Sequence, residues 1–194
     1  MNLTPIFSSF VAEDHLYIDN KRVRRYCMDR RDIDPGRQIS NQGGWQSEII
    51  YNVEPDLSEL AQAVIERVRA VNNNIGFADT KIFLQGLWVN INNNQNYNEI
   101  HDHPKSFYSA VYYVSASEDQ GDLMFCHPIP FISNYFITNK IESLTPFNSN
   151  MWRLPPKTGH LYIFPAYMSH FVRRNMTDND RISVAFNFGI DMGS

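Results

Sequence analysis

Tyr97-Asn98-Glu99-Ile100-His101-Asp102-His103-Pro104 decides the fold, because its two histidines share a purpose only on an extended strand. Alternate residues of a strand point to one face, so His101 and His103 lie together, and Pro104, which cannot donate to a sheet ladder, ends the strand. Two imidazoles so placed can take adjacent positions on a metal ion. A third ligand from a distant strand closes a facial set and leaves other positions open for substrate, oxygen or water. His170, in Met168-Ser169-His170, is the candidate for that ligand. A His-x-His pair alone is often a surface feature, so the weight falls on its surroundings.

Downstream, Asp180 to Phe188 has the pattern of a strand, with Arg181 and Ser183 on one face. A guanidinium fork beside a hydroxyl, on a strand otherwise apolar, is a carboxylate receptor. The competing role is an arginine at a sheet edge, capped by nearby acids. Upstream, Lys81 to Asn92 sets Ile82, Leu84, Gly86, Trp88 and Asn90 on one face and Phe83, Gln85, Leu87, Val89 and Ile91 on the other. Both faces are partly apolar, as in a central strand.

The same pattern predicts strands at Ser106 to Ser115, Asp122 to Cys126, Gly159 to Pro165 and His170 to Arg174, and an edge strand at Leu3 to Val11. Pro55 opens the one clear helix, since proline in the first turn loses no hydrogen bond. Leu57, Leu60, Ala61, Val64, Ile65 and Val68 then form a single apolar stripe that should pack on the back of a sheet. Gln42-Gly43-Gly44-Trp45 reads as a tight bend, and Asn72-Asn73-Asn74 and Asn92-Asn93-Asn94 as turns. His127 to Pro156 is irregular, and its Tyr135-Phe136-Ile137-Thr138 could form a lid or a substrate-facing wall. Short strands with one or two supporting helices predict a mainly β fold, a double-stranded β-helix of the jelly-roll or cupin-like barrel type. Residues 1–194 make a single domain of it.

Taken in order, several motifs resemble the 2-oxoglutarate and iron(II)-dependent oxygenase superfamily. They are His101-x-His103, Gly121-x-Leu123-x-Phe125, Gly159-His160-Leu161-Tyr162-Ile163-Phe164-Pro165, His170 and Arg181-x-Ser183. Gly44-Trp45-Gln46-Ser47, Trp88-Val89-Asn90 and Ser109-Ala110-Val111-Tyr112-Tyr113-Val114 narrow the resemblance to the 2OG-Fe(II) oxygenases of one subgroup. The resemblance implies Fe(II) rather than zinc at His101, His103 and His170, with 2-oxoglutarate as co-substrate. Its distal carboxylate would meet Arg181, Ser183 and the phenol of Tyr113, and Asn90 would hold it by its amide. Ser109 shares the face of Tyr113. The implied activity is that of a dioxygenase, a hydroxylase releasing succinate and CO2 from an unidentified small-molecule or peptide substrate.

The chain departs from the superfamily at His103, where relatives usually carry a carboxylate. Asp102 is the fallback ligand, although a regular strand points it to the opposite face. Two other functions stay open: a cupin-type metalloenzyme that does not use 2-oxoglutarate, and a non-catalytic barrel that binds a metal or ligand. Cupins commonly place a glutamate shortly after the His-x-His pair, where this chain has Phe107 and Tyr108.

Composition bounds the rest. A chain of 194 residues, 43% hydrophobic and 13% aromatic, can bury one sizeable core. A net charge of −4 argues against a bulk grip on nucleic acid or anionic lipid. The basic cluster Lys21 to Arg25 with Arg30 and Arg31 reads as a solvated face, or else as a contact for an acidic partner. Cys27 and Cys126 are too few for a disulfide framework or a zinc knuckle. With no membrane-length apolar run and no signal-peptide layout, a cytoplasmic location is expected. Barrels of this class often pair through edge strands or terminal segments, so a homodimer is the expected assembly. His15, His127 and His160 lack partners at ligand spacing and read as structural or solvent-facing.

Overall fold

The computed structural model describes residues 1–77, 80–129 and 141–191. Its strands are β1 (Ala12–His15), β2 (Asn41–Gln42), β3 (Trp45–Gln46), β4 (Lys81–Asn92), β5 (Tyr97–His101) and β6 (Tyr108–Ser115). They continue with β7 (Leu123–Cys126), β8 (Met151–Leu154), β9 (His160–Pro165), β10 (His170–Val172) and β11 (Arg181–Asp191). Two helices, α1 (Asn20–Ile33) and α2 (Pro55–Asn74), accompany them. One sheet runs β1-β9-β6-β11-β4-β3 and the other β2-β5-β10-β7-β8, all pairings antiparallel. This is the mainly β, two-sheet barrel expected from the strand pattern.

The larger sheet is apolar on both sides, and each side has its own core. On its outer face Leu87, Val89, Ile91, Ala110, Tyr112, Ile182, Val184 and Phe188 pack against Leu57, Leu60, Val64 and Val68 of α2 and Val23 and Cys27 of α1. Full burial of such a side chain contributes roughly 1.5–3 kcal/mol, so the α2 stripe alone ties the helix to the sheet. On the inner face a smaller cluster of Tyr113, Leu123, Phe125, Tyr162, Phe164 and Met168 fills the space between the sheets.

Several local expectations are corrected. Leu3 to Val11 forms no strand, and the edge strand follows it at Ala12–His15. Pro55 opens α2 as read, but α1 precedes it and carries the basic cluster; few apolar residues interrupt its charges, which hides its helical period. Asp19 caps α1 by accepting from the N–H groups of Lys21 and Arg22. Within that cluster Arg22 pairs with Asp56, and Arg30 with Asp34 and Glu54, so the cluster is partly neutralised by the chain itself. The alternation along Lys81 to Asn92 breaks at a bulge. Asn187 pairs with Gly86 and Phe188 with Leu84, leaving Gln85 as the extra residue. Ile82 and Leu84 therefore turn to the helix side with Leu87. Part of the His127 to Pro156 stretch is β8; the expected lid at Tyr135 to Thr138 lies outside the described residues. Among the described residues no helix is long and apolar enough to cross a membrane.

Candidate active site

β5 ends at His101, two residues short of His103, because Pro104 closes off further pairing. His103 is held instead by its own backbone N–H, which donates to the carbonyl of Ala166 at 2.9 Å. His101 lies directly opposite His170 in the β5–β10 ladder. The ring centroids are 4.3 Å apart for His101 and His170, 5.2 Å for His101 and His103, and 5.3 Å for His103 and His170. One ring nitrogen from each lies within 4.8 Å of the others. Among the described residues this is the one cluster of three or more potential metal-binding side chains. Asp102, the fallback, is exposed and does not join it.

Hydrogen bonding fixes the state of two of the rings. The Nδ1 of His101 lies 2.7 Å from the carbonyl of Glu99, and that of His170 lies 2.9 Å from the carbonyl of Met168. A carbonyl only accepts, so Nδ1 carries the proton in both and Nε2 keeps its lone pair. Burial also disfavours protonation. It lowers the pKa of His101, and with the neighbouring histidines it brings His103 to about 4 and His170 to about 3. At neutral pH the cluster is three neutral imidazoles, the form that binds a metal. Phe125 and Phe164 shield His170, at 6.0 and 4.8 Å between ring centroids. Trp88 flanks His103 at 5.7 Å.

Deeper in the same cavity stands Arg181, only 1% exposed. Its Nη1 donates to the carbonyls of Gln120, Gly121 and Arg173. Its Nη2 is buried without a partner among the described residues. Among the described residues no carboxylate hydrogen-bonds or ion-pairs with it. Burial lowers its pKa to about 10, so it remains charged at neutral pH. One row of register partners crosses the floor of the cavity beside it: Gln46, Asn90, Ser183 and Tyr113. All four are buried and line the cavity. Burial pushes the Tyr113 phenol up to about 12, so it stays an O–H donor. Asn90 Oδ1 has no partner among the described residues. Ser109 lies four residues before Tyr113 on β6 and donates to Asn187.

The structure thus brings His101, His103, His170, Arg181, Ser183, Tyr113 and Asn90 to one cavity. The sequence does not single out Gln46 as a site residue, because its strand is only two residues long, nor Asn92, because an asparagine run reads as a turn. The other histidines lie elsewhere. His160 meets Glu13 at 3.0 Å and stacks edge-on with His15, and His127 Nδ1 accepts from the N–H of Ile129.

Comparison with known proteins gives one family and several similar folds. Residues 86–187 match the model of a family described as "Putative 2OG-Fe(II) oxygenase". The fold resembles a Pseudomonas putida prolyl-4-hydroxylase, at 15% identity and TM-score 0.59, covering 92% of this chain and 91% of that one. It also resembles HygX from Streptomyces hygroscopicus, solved with nickel, 2-oxoglutarate and hygromycin B bound, at 12% identity, TM-score 0.64 and coverage of 93% and 83%. A third likeness is the collagen prolyl hydroxylase of Paramecium bursaria Chlorella virus-1 in complex with 2-oxoglutarate, at 11% identity, TM-score 0.59 and coverage of 92% and 94%. No curated protein matches the sequence.

Proposed function

We propose, from the premise that this chain belongs to the 2OG-Fe(II) oxygenase family, that it hydroxylates a small molecule or peptide, with Fe(II) held by His101, His103 and His170. The cluster fits that ion. Three nitrogens converge within 4.8 Å, two of them with Nε2 lone pairs fixed by carbonyls behind the rings. When bound, Fe(II) supplies the redox centre at which oxygen and 2-oxoglutarate react to give succinate and CO2. His103 in place of a carboxylate leaves the ligand set one unit more positive than in relatives with two histidines and an acid.

The observation that carries the co-substrate reading is Arg181. A guanidinium that lines the cavity, buried with no carboxylate partner and with Nη2 unpaired among the described residues, calls for an anion. Arg181 would hold the distal carboxylate of 2-oxoglutarate, and the hydroxyls of Ser183 and Tyr113, which line the same cavity, would add neutral donors. Asn90, which lines the same cavity, would hold that molecule by its amide. Phe125, Phe164 and Tyr162 exclude water from the inner wall. Among the described residues, Arg181 and the three imidazoles apart, the cavity is lined by uncharged side chains, which supports an uncharged reacting part of the prime substrate. Two free cysteines support a reducing, cytoplasmic setting.

The test is anaerobic titration of the metal-free protein with Fe(II) and then 2-oxoglutarate, followed through the weak visible charge-transfer band of the chelate. A band in the wild type that is absent from His170→Ala supports the reading. Iron binding without a band favours a three-histidine metalloenzyme of another class, and no iron binding removes the catalytic reading.

A further inference from the structure

β4 and β11 pair so that Asn92 lies directly opposite Arg181. Directly opposed residues of an antiparallel pair share a face, with Cβ atoms about 4.5–5.5 Å apart, and both of these line the cavity. Both are buried, Asn92 at 2% exposure and Arg181 at 1%. Among the described residues each also keeps one nitrogen without a partner, Nδ2 of Asn92 and Nη2 of Arg181. The remainder of Asn92 is engaged in the barrel wall, where its backbone carbonyl accepts from Asn175 at 2.9 Å.

A bare buried donor is costly, and a ligand bringing more than one acceptor oxygen can satisfy two on neighbouring strands of one wall. A carboxylate does so. Beside Asn92 on its other flank is Gly44, where an added Cβ would lie 2.6 Å from Asn92 Nδ2. Gly44 is not among the glycines with positive φ, so what glycine provides at this position is room for the amide.

We propose that Asn92 is a second nitrogen donor to the distal carboxylate of 2-oxoglutarate, alongside Arg181, and that Gly44 keeps its amide free to serve. This rests on the co-substrate reading of the cavity. Asn92 is a positioning residue here: it fixes the far end of the co-substrate and touches no bond that changes.

The test compares two ligands on the Mn(II)-loaded protein by calorimetric titration. One is 2-oxoglutarate. The other is 2-oxovalerate, which keeps the chelating keto acid and the carbon chain but has a methyl group in place of the distal carboxylate. Loss of one hydrogen bond to a charged group corresponds to about 10-fold or more in affinity. Asn92→Ala should weaken 2-oxoglutarate by about that factor and leave 2-oxovalerate within roughly 2-fold. Gly44→Ala, which retains Asn92 and Arg181 but crowds the amide, should weaken 2-oxoglutarate selectively in the same way, and it decides the matter if Asn92→Ala does not fold. Equal weakening of both ligands, or unchanged 2-oxoglutarate affinity in a folded Asn92→Ala protein, overturns the role of Asn92. In that case an effect of Arg181→Met would leave the co-substrate reading standing. A wild-type protein that binds no 2-oxoglutarate overturns both.

Discussion

Replacing Arg181 by methionine tests the co-substrate site with little change in side-chain length. The substitution removes a guanidinium that is 1% exposed and deprives the carbonyls of Gln120, Gly121 and Arg173 of a shared donor. Unsatisfied buried carbonyls cost about 1–3 kcal/mol each, but the metal-free protein also ceases to bury an unpaired charge, which offsets part of the loss. A net destabilisation of about 1–3 kcal/mol is expected from urea unfolding. The ligand suffers more. A buried carboxylate left without its ionic partner costs about 3–5 kcal/mol, which raises the Kd for 2-oxoglutarate roughly 150- to 5,000-fold. Arg181→Lys, which keeps the charge but loses the fork, should fall between the wild type and methionine. Titration of the Fe(II)-loaded, anaerobic proteins gives the three constants. A folded Arg181→Met protein whose Kd rises less than about 10-fold would refute the assignment of the carboxylate to this site.

Other residues give independent checks. His170→Ala should reduce metal affinity by more than the roughly 10–100-fold that loss of a supporting hydrogen bond costs, read as metal content after equilibrium dialysis. Asp34 accepts from the N–H groups of Gly36 and Glu48 and from Arg30 Nε at 2.8, 3.1 and 3.1 Å. Its burial alone would raise its pKa, but these three donors together lower it. The unfolded chain therefore binds the extra proton, and the stabilisation is present above the unfolded carboxylate pKa and lost as pH falls through the folded one. Urea unfolding should show Asp34→Ala less stable by about 2–4 kcal/mol at pH 7, with the difference shrinking in acid below about pH 4. Gly121 has φ +92°, and an added Cβ would collide with the Arg173 carbonyl and lie 2.7 Å from that of Arg174. Gly121→Ala should cost about 1–3 kcal/mol from backbone strain alone and, by shifting two of the carbonyls that hold Arg181, weaken 2-oxoglutarate as well.

How much was legible in the sequence depended on the range of the forces involved. Long strands with strong alternation were readable: Lys81 to Asn92 coincides with β4, and Arg181 to Phe188 lies within β11. The α2 stripe was readable for the same reason, since Leu57, Leu60, Val64 and Val68 repeat at the helical period. α1 is not legible in the sequence because tertiary ion pairs and an N-cap, rather than a long apolar stripe, define it. The face swap at Ile82 was missed because a bulge is fixed by the partner strand, which periodicity within β4 cannot show. The site divides similarly. His101 and His103 announced themselves by spacing. That His103 would leave the strand yet keep its ring beside His170 depended on the carbonyl of Ala166, remote in sequence. Asn92 was hidden in an asparagine run whose first member closes a strand.

The most direct measurement is a crystal structure of the anaerobic protein with Mn(II) and 2-oxoglutarate. The expected complex has Nε2 of His101 and His170 and a ring nitrogen of His103 on the metal, Asp102 in solvent, and the distal carboxylate on Arg181 Nη2. A metal held by Asp102 instead of His103, or a co-substrate whose distal carboxylate lies away from Arg181, would contradict the assignment of this cavity.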